Sequence, residues 1–297
     1  MVMVVARVDS ERVRAVASAI SRAGVNGILR LEEVLDPQYD DMQRLAESVG
    51  RGPATVYALL VALSSYRLTM RGEEWWRCVS DMLGGRGTPK TVDEAVDNVI
   101  WFLSNCPGSL IGRDVKIRRV RKVGTYMRGV LEGLMSRPEL VIEKPQDILS
   151  SVAASLGSKE ERKTVAFSVK MAYYAARARG VMRPLAFDLP MPIDVRVACV
   201  TMTSGLVRGP RDYHELVRSP AEAQRAWRDV SLMSGVPTPH LDSLLWVVGW
   251  APRDLDQAAA REEIRRTLSK VIPEAAEAIA RELTYIPCPS GGGPRRH

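Results

Sequence analysis

Ser158-Lys-Glu-Glu-Arg-Lys-Thr-Val-Ala-Phe-Ser-Val-Lys170 is the stretch on which the reading of this chain turns. Ser158 with Glu161 three places on is a capping box, so a helix is predicted to start at Ser158 and to continue to about residue 179. At 100° per residue, Lys163, Phe167, Lys170 and Tyr174 fall within about 60° of one another. Val165, Val169, Ala172 and Ala176 lie opposite and form the core stripe. The remaining face carries two amines and two aromatic rings. Either it walls a cleft, or the rings pack under a neighbouring helix while the lysines reach out to water. The choice of Lys is itself informative. Of 42 basic residues only eight are Lys, and three of those are Lys159, Lys163 and Lys170. An Arg carries charge but does not lose its proton and attack carbon, whereas a Lys amine does both. Lys163 is thus the candidate nucleophile, to be weighed against an ordinary solvated Lys on a helix surface.

Outward from this helix the pattern stays helical. Apolar residues recur at three- and four-residue spacing over 10–23, 40–68, 93–105, 125–136, 146–156, 195–204, 219–234, 239–250 and 258–283, and strand-like alternation is scarce. The segment Arg183-Pro-Leu-Ala-Phe-Asp-Leu-Pro-Met-Pro-Ile193 must be extended, because three prolines and the residues before them exclude helix. The expected fold is all-α, with two helical subdomains flanking a basic cleft. Residues 41–182 form one bundle, and 1–40 join 183–286 in the other, with the proline-rich connector crossing between them. The tail 287–297, rich in Gly and Pro, is expected to be disordered.

Composition narrows the function classes. The chain has 297 residues, 46% of them hydrophobic, and a net charge of +7, which favours a polyanionic partner, nucleic acid first. No window approaches a membrane span, and the apolar stretch before Arg7 is too short for a signal peptide. Cys78, Cys106, Cys199 and Cys288 are scattered, without Cys-x-x-Cys pairs, and the only histidines are His214, His240 and His297. Zinc and Cys-ligated iron–sulfur sites therefore lack their usual spacing, no metal or cofactor is expected, and a reducing, cytoplasmic compartment fits best.

Other residues stand out by position. Asp194 follows Pro190-Met-Pro-Ile193 and precedes a short helix that ends before Gly205, so it reads as an N-cap. It is a carboxylate aimed by rigid prolines, or a structural cap and nothing more. Arg113-Asp-Val-Lys-Ile-Arg-Arg-Val-Arg-Lys122 is the densest basic run and suits either a phosphate backbone or a solvated face. Trp75, Trp76 and Trp246 are core by default, although adjacent Trp residues also stack on bases.

Taken together, these segments resemble the archaeal 8-oxoguanine DNA glycosylase/AP lyases, a divergent branch of the helix-hairpin-helix glycosylase superfamily. The resemblance rests on Asp36-Pro-Gln-Tyr39, Ser65-Tyr-Arg-Leu-Thr69 with Gly72-Glu-Glu74, Lys163 to Lys170, the pattern from Arg183 to Asp194, and Pro239-His-Leu-Asp-Ser-Leu-Leu-Trp246, in that order. It implies that Lys163 is the Schiff-base nucleophile and Asp194 the superfamily aspartate. Gln38, Phe167, Lys170 and Trp246 would line an oxidised-guanine pocket, with Asp242 beside them and Ser65 in the same substrate-binding set. The Trp of that set is Trp75 or Trp76, with Trp76 preferred. The hairpin Ala154-Ser-Leu-Gly-Ser-Lys159 departs from the Gly-x-Gly pattern common in the superfamily.

The implied activity is excision of 8-oxoguanine flipped from DNA, its ring held between Phe167 and a Trp. A nick by β-elimination follows. A neutral Lys163 amine is expected from partial burial, the nearby Lys170 and the helix N-terminus. The expected partner is double-stranded DNA containing oxidised guanine, with single strands a further possibility, bound by a monomer. Two alternatives stand beside it: a non-catalytic helical DNA-binding module, and a helix-hairpin-helix glycosylase for another damaged base.

Overall fold

The computed structural model describes residues 6–289. Of the tail read as disordered, residues 290–297 lie outside that range. Within it the fold is all-helical, apart from one antiparallel pair of two-residue strands, β1 (Arg7–Val8) and β2 (Val207–Arg208), in the register Arg7 to Arg208. No helix among the described residues is long and apolar enough to cross a membrane.

The chain divides into two compact units, one built from both of its ends and the other from the sequence between Asp36 and Leu189. The discontinuous unit begins with β1, α1 (Ser10–Ser21) and α2 (Gly24–Leu35). The continuous unit then holds α3 (Pro37–Val49), α4 (Arg51–Ala62), α5 (Gly72–Gly84), α6 (Val92–Asn105), a 3-10 turn (Pro107–Ser109), α7 (Arg113–Tyr126), α8 (Arg128–Ser136), α9 (Leu140–Glu143), α10 (Pro145–Leu156) and α11 (Lys163–Ala176). The first unit resumes with α12 (Val195–Thr203), β2, α13 (Tyr213–Arg218), α14 (Ala221–Ser234), α15 (Thr238–Val248), α16 (Ala251–Asp254), α17 (Gln257–Leu268) and α18 (Pro273–Leu283).

In the continuous unit α4 is the central helix. Every residue from Ala54 to Leu63 is buried, and α11 packs along it. Gly52 lets α8 approach, since a Cβ there would lie 1.8 Å from the carbonyl oxygen of Met135. The apolar window read over 40–68 is two helices, because Gly50 takes φ 87°, a left-handed conformation that ends α3. Likewise 258–283 is broken into α17 and α18, with Pro273 opening the second.

The helix that carries Lys163 starts later than the sequence pattern predicted. Gly157, at φ 60°, ends α10 in the left-handed region, and Ser158 N–H donates back to the Ala153 carbonyl at 2.9 Å. The turn 157–162 follows, and α11 opens at Lys163 with Arg162 as an N-cap that makes no side-chain cap bond. Ser158 thus caps nothing, and no capping box with Glu161 forms. The carboxylate that organises the turn is Glu160, which accepts from Gln146 Nε2 (2.8 Å) and Ser150 Oγ (2.6 Å) of α10. The C-terminal end of α11 is tied to α3 by Gln43 Nε2, which donates to the carbonyls of Tyr174 (2.6 Å) and Arg177 (2.9 Å).

Residues 181–194 contain no helix or strand, consistent with their prolines. Leu185 and Leu189 sit in the core of the continuous unit, whereas Met191 and Ile193 sit in the other core. The chain therefore changes units between Leu189 and Pro190, not between 182 and 183. The other boundary falls at Leu35, because Asp36 caps α3 and belongs with it.

In the discontinuous unit α1 packs on α14 and α18, and α2 packs on α15. A disulfide joins Cys199 of α12 to Cys288 beyond α18, across a sequence separation of 89. A bond across so long a separation leaves no spacing signal in the sequence.

Candidate active site

In the continuous unit the candidate residues gather on α11 and on the helices it touches. Lys163 is the first residue of α11 and is exposed, not partly buried as expected. From Val165 onward every residue of α11 is buried, so the helix has no solvated face to divide from a core stripe. Phe167 is 8% exposed and Lys170 only 2%. Lys170 does not reach out to water. Its Nζ lies 5.9 Å from the centre of the Phe167 ring and 5.3 Å from that of Tyr174, within cation–π range of both.

The adjacent tryptophans take different partners. Trp76 meets Phe167 with ring centres 5.9 Å apart and planes at 63°. Trp75 turns to Phe102, 5.0 Å away, and to Lys116. Its indole N–H donates to Ser65 Oγ (3.2 Å), while that hydroxyl donates to the Val61 carbonyl (3.2 Å). Ser65 is thus engaged in holding its own loop. Trp76 and Phe167 stand edge to face in mutual contact, so in this structure they do not form two parallel walls that could sandwich a purine.

Gln38 occupies the first turn of α3. Asp36, the N-cap, accepts from Gln38 N–H (2.9 Å), and its other oxygen accepts from the hydroxyl of Tyr174 on α11 (2.8 Å). This bond fixes the start of α3 against α11. The Gln38 side chain is 1% exposed, and among the described residues neither its carbonyl oxygen nor its amide nitrogen has a hydrogen-bond partner. A buried carboxamide without partners costs about 1–3 kcal/mol at each unmet group.

The basic run is helix α7, and it splits. Arg118, Arg121 and Lys122 face outward, while Lys116 is fully buried beneath Tyr66 and Trp75, its amine pushed below its ordinary value by burial. Arg119 is half-buried, and its Nη2 donates to Thr164 Oγ1 at 2.9 Å, tying α7 to the residue next to Lys163.

In the discontinuous unit Asp194 caps α12, accepting from Arg196 N–H (2.9 Å) and Val197 N–H (3.0 Å). Asp242 is buried on α15, and Trp246, one turn on, is half-buried. Arg196 links these features. Its guanidinium lies 3.9 Å from the centre of the Trp246 ring, and its Nη1 donates to the Trp246 carbonyl at 3.0 Å. Beside Asp242, His240 and Ser243 both engage the buried Glu32 of α2, at 2.7 Å each. Sequence reasoning missed Arg196, Arg119, Tyr174 as a partner of Asp36, and Glu32. Each acts through a contact distant in sequence, and a single sequence carries no signal for such a contact.

Comparisons with known proteins identify the family. The family model described as AGOG, N-glycosylase/DNA lyase, matches residues 17–282. A protein of Aeropyrum pernix named N-glycosylase/DNA lyase is 44% identical over 294 residues, covering 96% of this chain and 99% of its own. One of Pyrobaculum aerophilum with the same name is 32% identical over 242 residues, covering 81% of this chain and 87% of its own. Among solved structures, the 8-oxoguanosine complex of the Pyrobaculum aerophilum 8-oxoguanine DNA glycosylase superposes with a TM-score of 0.71. That pair is 27% identical, and the match covers 90% of this chain and 97% of that one.

Proposed function

Since this chain belongs to the AGOG family of N-glycosylase/DNA lyases, we propose that the damaged base it removes is 8-oxoguanine and that Lys163 is the nucleophile. The observation that carries this reading is the buried, unpartnered carboxamide of Gln38, on the helix that Asp36 and Tyr174 fasten to the Lys163 helix. An amide offers two donors and an acceptor, so it can match the polar edge of a purine. 8-Oxoguanine carries a proton on N7, where guanine carries a lone pair. An acceptor set against that edge pairs with the oxidised base and is left unmet by the normal one.

In this mechanism the base is turned out of the duplex before reaction. The neutral Lys163 amine forms a bond to C1′ while the C1′–N9 bond breaks, and the electron pair leaves with the base, which takes up a proton. Ring opening and loss of the second amine proton give an imine between Nζ and C1′. Removal of a proton from C2′ then expels the 3′ phosphate, which is the lyase step. Asp194, held as a cap, stabilises the positive character that develops on the sugar. Phe167, Lys170 and Trp76 bind the base, and Asp242 and Trp246 are further substrate-binding residues. The substrate is duplex DNA, and a cytoplasmic monomer suffices for the chemistry.

Borohydride treatment of the protein with an 8-oxoguanine duplex is expected to trap a covalent adduct. Lys163→Gln removes the adduct while lesion binding survives. An adduct that persists in the variant rules out Lys163, and its absence in the native protein returns the chain to a DNA-binding role without chemistry.

A further inference from the structure

Outside the candidate site, the continuous unit holds two free thiols in contact. Cys78 lies on α5 and Cys106 follows the last residue of α6, and their sulfurs are 3.1 Å apart across a sequence separation of 28. Cys106 is buried and Cys78 half-buried, so Cys78 is the member of the pair that solvent reaches. The thioether of Met82, one turn on from Cys78, lies 3.3 Å from the Cys78 sulfur. Among the described residues no third cysteine, histidine or carboxylate completes a metal-binding group here.

The frame around the pair is rigid. Trp75, one turn before Cys78 on α5, packs on Phe102, whose carbonyl accepts from the Cys106 N–H at 2.8 Å. The turn after Cys106 presses on the same indole: a Cβ at Gly108 would lie 2.8 Å from the Trp75 ring. Ser109 folds that turn back, its hydroxyl donating to the Cys106 carbonyl at 3.1 Å. Both cysteine backbones are thereby held in place. A disulfide needs its sulfurs at about 2.05 Å. A further approach of about 1 Å, within reach of side-chain rotation, brings them there.

We propose that Cys78 and Cys106 are a modification site, a dithiol that a low-molecular-weight disulfide converts into a second intramolecular disulfide of this chain. Cys78, the accessible thiol, reacts first. Its thiolate attacks one sulfur of the reagent, the reagent's S–S bond breaks, and one small thiol leaves with the proton that Cys78 gave up. The Cys106 thiolate then attacks the Cys78 sulfur of the mixed disulfide and expels the second small thiol. The protein loses two electrons and two protons, and the reagent takes both. Burial, and after it the bond with Cys106, pushes the Cys78 thiol up to about 12, so the reduced pair exchanges slowly at neutral pH and faster as pH rises. The new bond clasps α5, which carries Trp76, to the turn on which the Ser65 loop hangs. Thr69 of that loop bonds to the carbonyls of Pro107 (2.5 Å) and Gly108 (3.3 Å). None of this depends on which base is excised or on which residue is the nucleophile.

The test is a peptide map of the full-length, folded protein after incubation with oxidised glutathione. The four cysteines fall in four different tryptic peptides, Cys78 in 78–86 and Cys106 in 91–113, so the map separates this bond from Cys199–Cys288. Peptides 78–86 and 91–113 are expected to be joined, with both thiols lost together. Cys106→Ser removes the second thiol, so Cys78 should accumulate as the glutathione mixed disulfide. Cys78→Ser should leave the buried Cys106 unmodified. In thermal melts the oxidised native protein should stand roughly 5–10 °C above oxidised Cys78→Ser, a gap that shrinks when both are reduced. Two unlinked thiols after incubation at pH 7 and again at pH 9, where thiolate is about a hundredfold more abundant, overturn the proposal. So does glutathione on Cys78 alone in the native protein, and so does linkage that appears only after denaturant has unfolded the chain.

Discussion

Gln38, the proposed contact to the base, shows how little of a side chain's surroundings is visible in a sequence. Its position after Asp36-Pro37 marks only the first turn of a helix. That its carboxamide is enclosed without a partner depends on Tyr174, 138 residues from Asp36, pulling the start of α3 against α11. The physical consequence is a trade between stability and discrimination. Gln38→Met keeps the volume and removes the unmet polar groups, so the variant should melt at the same temperature or higher. Its preference for the oxidised base over guanine should fall by about 1–3 kcal/mol, roughly five- to 150-fold. Thermal melts together with excision assays on matched substrates check both halves. A variant that melts lower yet keeps its preference would show the amide to be structural. Arg196 teaches the same lesson, because nothing in its neighbourhood foretells a ring 50 residues away.

At the scale of the helix, periodicity located most elements, and local chemistry decided their ends. The proline-rich connector was legible because proline acts on its own backbone whatever surrounds it. The start of α11 was misread because Ser158 and Glu161 fit a capping pattern, whereas Gly157 ends α10 and Glu160 holds the turn that follows through Gln146 and Ser150. The helices α2, α5 and α7 escaped notice: α2 carries Gly24 and Gly27, and α7 carries more charge than apolar stripe. Packing between helices can also be probed by pH. Glu282 on α18 is buried, which pushes its carboxyl up. Bonds from Arg281 (2.9 Å) and from Arg12 of α1 (2.7 Å) outweigh that effect and hold it below the ordinary 4.5. A depressed carboxyl stabilises the fold above 4.5, and that contribution is lost as pH falls through the lower folded value. Glu282→Gln should therefore cost about 1.5–3 kcal/mol at neutral pH and little once the native carboxyl is protonated. Denaturant melts of both proteins at neutral and acid pH are expected to converge at the acid end, and parallel curves would refute the assignment.

For the whole molecule, the feature that composition could not supply is the link between Cys199 and Cys288. Loop closure over their separation of 89 corresponds to about 4–5 kcal/mol in the chain-entropy picture. Reductant, or Cys199→Ser with Cys288→Ser, should lower the melting temperature by several degrees and leave excision at moderate temperature intact. Melts in the presence and absence of reductant that superimpose would show that the bond contributes nothing. The division into units has a consequence for how the protein is made. As the ribosome delivers the chain, α1 and α2 emerge first but lack α14, α15 and α18, the surfaces they pack on. The segment from Asp36 to Leu189 is complete once its own residues have left the exit tunnel. Nascent chains should therefore acquire the Lys163 helix in its native setting while the first helices are still waiting, and Cys288 is the last element of the clasp to arrive. The half that bears Lys163 matures first, and the half that bears Asp194 closes only after α18 has emerged.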